Sequence, residues 1–282
     1  VGNTFDLRTL AIALEGSLLD AAEGLDDALA EGLVLPVGGG YKFLDARLDA
    51  EREGLSETPE AVVYRFLHDR VQQAAYALVP ADERPALHRG IAARLRASLG
   101  PEELHDRLFE VVGHVSLCES LLSDPLQRKD FAALALQAGR RAKASAAYRP
   151  SLEYLTLAGR LLGDDVWTRD YDAALELSLH LTEAAYLTGD LDGMERHAAE
   201  VDARATRLVD RARAAEVRVQ AYIGQNRLTE AIDTALAVLA ALGVHFPAEP
   251  AVADVVAGIG ETATAIAGRN ADALFALHRR PL

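Results

Sequence analysis

Apolar residues recur along most of this chain at the three- and four-residue spacing of amphipathic helices. The cleanest run is Leu228, Ala231, Ile232, Ala235, Leu236, Leu239 and Leu242, which predicts a helix over 228–242 that pairs with one over 212–224. Two earlier pairs read the same way, 130–148 with 150–162 and 171–188 with 191–208. The turns 147–151, 189–193 and 224–228 separate their members. Aligning Tyr148, Leu191 and Leu228 gives spacings of 43 and 37 residues. These are longer than the 34 of a strict tetratricopeptide repeat and within the range of related helical-hairpin arrays. A single hairpin cannot bury its apolar face, whereas stacked neighbours can. Residues 126–282 therefore read as TPR-like α-helical hairpins forming a right-handed α-solenoid. The tail, 251–282, begins another helix and stops without a polar cap.

Before the repeats, 81–125 reads as connecting helices. One runs from about Asp82 to Leu99, and a second carries the apolar stripe Leu108, Val111, Val112, Val115, Cys118 and Leu122. Residues 1–80 have a different rhythm. Asp6 is placed to cap a helix ending at Gly16, and a second helix spans about Leu18 to Glu31. Leu33–Val37 is a short apolar run, Gly38-Gly39-Gly40 turns the chain, and Tyr41–Leu44 reads as a returning strand. Asp45–Glu60 reads as a charged loop. Tyr64 and Phe66 alternate with Arg65 as in a strand, and a helix opens at Asp69, with Phe66, Leu67, Val71, Ala74, Ala75 and Leu78 on its apolar side. Helix, helix, strand, turn, strand is the order of a small winged-helix domain. The expected fold is thus mostly α, a winged-helix domain followed by helical repeats.

Composition narrows the function. The chain has 282 residues, 50% hydrophobic and 6% aromatic, which suits a packed helical core and opposes wholesale disorder. No apolar run reaches the length of a membrane span. The formal net charge is −14, which opposes binding to nucleic acid or anionic membranes. Residues 1–80 carry six basic and fourteen acidic side chains, and 18–31 holds five carboxylates and no cation. Phosphate contacts by that segment would be repulsive, so DNA reading is excluded. The single Cys118 rules out an internal disulfide framework and fits a cytoplasmic compartment. The first residues show no signal-peptide core and no initiator Met, so the chain reads as cut from a longer protein.

Motifs for catalysis are missing. Gly38-Gly39-Gly40 lacks the Lys-Ser/Thr of a phosphate loop and reads as a hairpin turn. His105-Asp106-Arg107 matches a kinase loop superficially, without the glycine loop or lysine strand. His114, His180 and His197 fall within helices as packed or surface residues, with no metal-ligand spacing. Arg140-Arg141-Ala142-Lys143 reads as a solvated helix face. Trp167 and Tyr171 are expected to staple the entry to a repeat helix. No enzymatic role is expected for this chain. One junction stands apart: His68-Asp69, between the Tyr64 strand and the following helix. Local sequence leaves His68 either a structural cap or a ligand-facing imidazole.

Leu67-His68-Asp69 resembles the methionine-histidine-aspartate motif of STAND-class signalling ATPases, with Leu67 in place of methionine. The longer stretch from Tyr64 to Tyr76 resembles the segment after the ATPase core in large bacterial signalling proteins that combine a serine/threonine kinase, an AAA/STAND ATPase, helical repeats and a sensor histidine kinase. Ala138–Tyr148 and Tyr186-Leu187-Thr188-Gly189-Asp190 resemble the repeat region of that family. The resemblance covers about residues 1–245. It implies a regulatory segment whose His68 contacts the β-phosphate of ADP held by an upstream ATPase domain in cis, with Asp69 orienting the helix start. It implies repeats that receive a protein or small-molecule ligand, and ATP or ADP as a cofactor of the larger protein with none in this chain. Two other readings stay open: a free-standing scaffold for protein–protein interaction, and the sensor arm of a transcription regulator.

Overall fold

In the computed structural model the described residues are 3–43, 62–246 and 250–268. The chain divides into two compact units, Val1–Arg204 and Ala205–Leu282.

The first unit opens with a short strand β1 (Thr4–Asp6) that the sequence pattern did not announce, and continues into α1 (Leu7–Leu14). Asp6 caps α1 as expected, accepting the Thr9 amide at 2.7 Å. The expected single helix over 18–31 is two, α2 (Leu18–Glu23) and α3 (Asp26–Ala30), separated at Gly24–Leu25. Gly24 disfavours a continuous helix. The break turns Leu25 into the core, where it is 8% exposed. Strand β2 (Val34–Val37) follows, then a 3-10 turn at Gly40–Phe43.

That turn corrects the expected returning strand at 41–44, whose last residue lies outside the described residues. The partner of β2 is instead β3 (Val63–Phe66), which occupies the centre of an antiparallel sheet ordered β1-β3-β2. Thr4 faces Arg65 on one side, and Leu35 faces it on the other. Alternation explains the choice. Tyr64 points inward and is 2% exposed, among Leu7, Ala11, Ala21, Ala22, Leu25, Val34 and Val62, while Arg65 points out. Phe5 stacks on Tyr64 and tilts against Phe66, with centroids 6.0 and 5.6 Å apart. Tyr41 stays exposed. The charged loop expected at 45–60 lies outside the described residues.

After β3 comes α4 (Asp69–Ala77), followed by α5 (Arg84–Ser98), α6 (Pro101–Asp106) and α7 (Leu108–Cys118). The stripe expected on α7 is buried throughout, from Leu108 to Leu122. Helix α5 packs between α1 and α7. A cleft of about 480 Å³ lies between α1 and α5, edged by Arg8, Glu15, Arg94 and Ser98.

Two helical hairpins complete this unit: α8 (Pro125–Ala144) with α9 (Tyr148–Leu162), and α11 (Tyr171–Thr188) with α12 (Leu191–Arg204). The short helix α10 (Val166–Arg169) joins them. Trp167 meets Tyr171 edge-on at 5.7 Å, in the stapling position expected. Small residues set the approach of α8 to α9. Ser151 donates to the Gly139 carbonyl at 2.8 Å, and Leu155 lies over Gly139 so closely that a Cβ there would stand 2.6 Å from its Cγ. Gly189, with φ +79°, ends α11 in a left-handed turn, and Asp190 then accepts the Gly193 amide at 2.9 Å.

The second unit holds the hairpin α13 (Leu208–Gly224) and α14 (Leu228–Ala241), and then α15 (Val252–Ile266). The stripe predicted over 228–242 is helical, but only Ala231 of it is buried; Leu228, Ile232 and Leu242 are exposed. No described helix is long and apolar enough to cross a membrane.

Gly139 sits mid-helix, where alanine ordinarily stabilises by up to about 1 kcal/mol. The contact with Leu155 reverses the sign: Gly139→Ala should destabilise the chain by about 1–3 kcal/mol through overpacking. A urea unfolding curve reads this directly, and a midpoint raised by the substitution would refute the close-packing argument.

Candidate functional site

His68 lies where β3 hands over to α4. The Leu67 amide donates to the Leu33 carbonyl at 2.9 Å, so the sheet extends to the residue before the junction. His68 itself is extended, with φ −145° and ψ 153°, and its carbonyl accepts the Val71 amide at 2.9 Å. Its side chain makes no capping hydrogen bond. The imidazole, Asp69 and Arg70 are exposed. The backbone thus places a solvent-facing imidazole beside the amide-rich start of a nine-residue helix, with Asp69 in the first turn.

The apolar side expected for α4 is not buried among the described residues. Phe66 and Val71 are half-buried, while Leu67, Ala74, Ala75 and Leu78 are exposed, Leu78 at 85%. Its last turn makes polar contacts with the connecting helices. The Tyr76 hydroxyl lies 2.9 Å from His88 Nε2, and His88 Nδ1 lies 2.8 Å from His114 Nδ1. The Arg84 guanidinium covers the Tyr76 ring at 4.5 Å. His88 and His114 are each 3% exposed. Burial lowers both imidazoles below the ordinary histidine value, His114 to about 4. A neutral pair with one shared proton satisfies both facing nitrogens.

The sequence marks His114 as a packed or surface residue, and its spacing gives no sign of His88. Tyr76 and His88 are separated by the break at Pro80, so helical spacing does not connect them. The available signal is chemical: a histidine facing the inside of an apolar helix needs a polar partner.

Arg107, in the His105-Asp106-Arg107 motif, is structural. It grips Glu110 through two bonds, Nε to Oε2 at 2.9 Å and Nη2 to Oε1 at 3.1 Å. It also donates to the Thr9 hydroxyl and sits 3.7 Å from Asp6. Arg94 meets the other end of α1, donating to the Ala13 carbonyl at 2.8 Å and pairing with Glu15. The basic patch on α8 is engaged as well. Arg140 pairs with Glu176 at 2.8 Å, Lys143 pairs with Glu183 and lies 3.2 Å from His180 Nδ1, and Arg141 donates to the His105 carbonyl. Desolvation, with Lys143 beside it, lowers His180; desolvation also lowers His197. Burial pushes the Cys118 thiol up to about 11, which keeps it protonated and unreactive. Among the described residues no three His, Cys, Asp or Glu side chains gather as metal ligands would.

The chain is similar to a signalling protein, the hybrid signal transduction histidine kinase G of Dictyostelium discoideum, at 24% identity over 205 residues. That stretch is 64% of this chain and 6% of that protein, so the chain spans a small fraction of its relative's length. No family model matches the chain, and no solved structure matches it.

Replacing Arg107 by lysine should cost about 1–2 kcal/mol, because a point cation cannot reproduce the two-pronged grip on Glu110 while holding Thr9. Arg8→Ala, which breaks an exposed pair with Glu103, should change stability little. Parallel urea titrations of the two variants give the comparison; equal effects would contradict it.

Proposed function

We propose that this chain is a non-catalytic regulatory segment of a larger signalling ATPase or kinase. Residues 1–80 act in it as a winged-helix domain, and the hairpins of 126–282 as TPR-like repeats of a right-handed solenoid. The observation that carries the reading is the His68-Asp69 junction, an imidazole held in solvent at the mouth of α4 and left without a capping role of its own. An imidazole N–H can donate to a phosphate oxygen, and the amides of a helix start favour the same anion. The group that fits is the diphosphate of ADP, held mainly by an upstream ATPase domain in cis. Asp69 orients the helix start and does no chemistry. The similarity to a histidine kinase, weak as a share of that protein's length, supports a signalling context.

Charge supports the rest of the reading. Asp20, Glu23, Asp26, Asp27 and Glu31 are all exposed on α2, α3 and their flanks, so this face repels phosphates and opposes a nucleic-acid partner. The repeats would instead receive a protein or a small molecule, in the cytoplasm and off the membrane. A free-standing scaffold is the second reading, favoured by the exposed Leu228, Ile232 and Leu242 of α14. In that reading His68 is structural.

A histidine–phosphate hydrogen bond supplies about 1.5–3 kcal/mol, so ADP should bind the isolated chain with a Kd above about 1 mM. In the full-length protein, His68→Ala should speed ADP release and shift basal output. Nucleotide retention measured on purified full-length protein decides between the readings: unchanged retention and output in the variant would leave the scaffold in place of the sensor.

A further inference from the structure

We propose that the Tyr76–His88–His114 chain of hydrogen bonds is a proton-sensitive latch that fastens α4 to the connecting helices and releases it on acidification. The proposal goes beyond nucleotide sensing and does not require His68 to bind anything.

The latch has three parts on three elements: Tyr76 in the last turn of α4, His88 on α5 and His114 on α7. The two rings lie with centroids 5.0 Å apart and are almost fully enclosed. Tyr76 closes the outer end, its ring 5.9 Å from that of His88. No residue of α4 is buried, so the helix contributes no fully enclosed side chain to the core. Such an element opens at low cost compared with the core behind it.

The surroundings offer a proton no welcome. From α4 the facing group is the Tyr76 hydroxyl, and Arg84 of α5 lies over the Tyr76 ring. From α7 the neighbouring groups are the Cys118 thiol, a turn beyond His114, and the Arg107–Glu110 pair at the helix start. Glu110 is committed to Arg107, and Arg89 acts on Cys118. Among the described residues, the charges acting on His114 are His88 and the Arg107 cation, both unfavourable to protonation.

The Nδ1–Nδ1 contact already holds its one proton, so an added proton goes to an Nε2; on His88 it removes the acceptor that the Tyr76 hydroxyl faces, and it brings a buried net charge without a counter-ion. A second leaves two N–H donors facing one another. Water reaches His88 Nε2 when Tyr76 withdraws, so hydration of the imidazolium and release of α4 are the same event. The folded chain binds fewer protons than the unfolded one below the ordinary histidine value of 6.5. The latch is therefore fully closed above about that pH and weakens as pH falls toward about 4.

Amide hydrogen exchange on the whole chain tests this, followed by mass spectrometry and expressed as protection relative to unstructured peptide. Between about pH 8 and about pH 5, protection of Asp69–Ala77 should fall about tenfold while that of α8 and α9 holds. In Tyr76→Phe, α4 should already be poorly protected at the higher pH and should lose its pH dependence. Tyr76 is partly exposed, so this variant should fold. His114→Gln, which keeps a hydrogen-bonding partner for His88 but removes one titrating ring, should flatten the profile. Unchanged protection of α4 across the pH range would overturn the latch. So would a Tyr76→Phe profile matching the parent's, or loss of protection that spreads equally through α8 and α9.

Discussion

Arg107 is the contact on which the first unit's organisation turns. A guanidinium is expensive to take from water, and burial alone would weaken its hold on the proton; the Glu110 carboxylate, with Asp6 and Glu103 near, more than offsets this. One cation then joins two helix starts. It meets the cap of α1 through Asp6 and Thr9, and the first turn of α7 through Glu110. Because Asp6 ends β1, the edge of the sheet is fixed to the buried stripe of α7 by the same group. Lysine offers the charge without the fork, which is why the planar arrangement matters more than the sign.

Burial is uneven across the rest of the unit. Helix α7 is enclosed along its apolar stripe, and the hairpins α8–α9 and α11–α12 bury theirs against each other. Helix α4 lies at the other extreme, joined through Tyr76 to a histidine pair at the edge of the same core. The element that carries His68 is thus the least buried part of the first unit's helical framework, while the residues behind it are among the most enclosed.

The helical hairpins were legible because each helix writes its own period. The stripe from Leu108 to Leu122 and the pairing of helices follow from spacing, but the bounds do not: the helix expected over 130–148 runs from Pro125 to Ala144, and the next begins at Tyr148. The sheet was harder. Strand β1 is three residues long, too short for alternation to register, and β3 reaches its neighbours over a separation in sequence that periodicity does not measure. The break at Gly24 was visible as a glycine, but the gain from turning Leu25 inward depends on the core around it. In the site, the exposed His68 junction could be placed from local sequence, because strand and helix meet at adjacent residues. The His88–His114 pair could not, since its geometry belongs to the packing of α5 on α7. Stripe quality also fails to rank burial: the most regular stripe, on α14, is among the most exposed.

The glycine at 139 sets a distance, and in a stacked array a distance behaves as a pitch. Helices that approach on small residues sit at the near end of the usual 8–10 Å separation of axes. The ion pairs from α8 to α11, Arg140–Glu176 and Lys143–Glu183, span a gap whose width that approach helps to fix. A methyl group at 139 would act as a shim, tilting α9 away from α8 and carrying α11 with it. Such errors add along stacked hairpins, so one missing side chain sets how closely α9 and α11 follow α8.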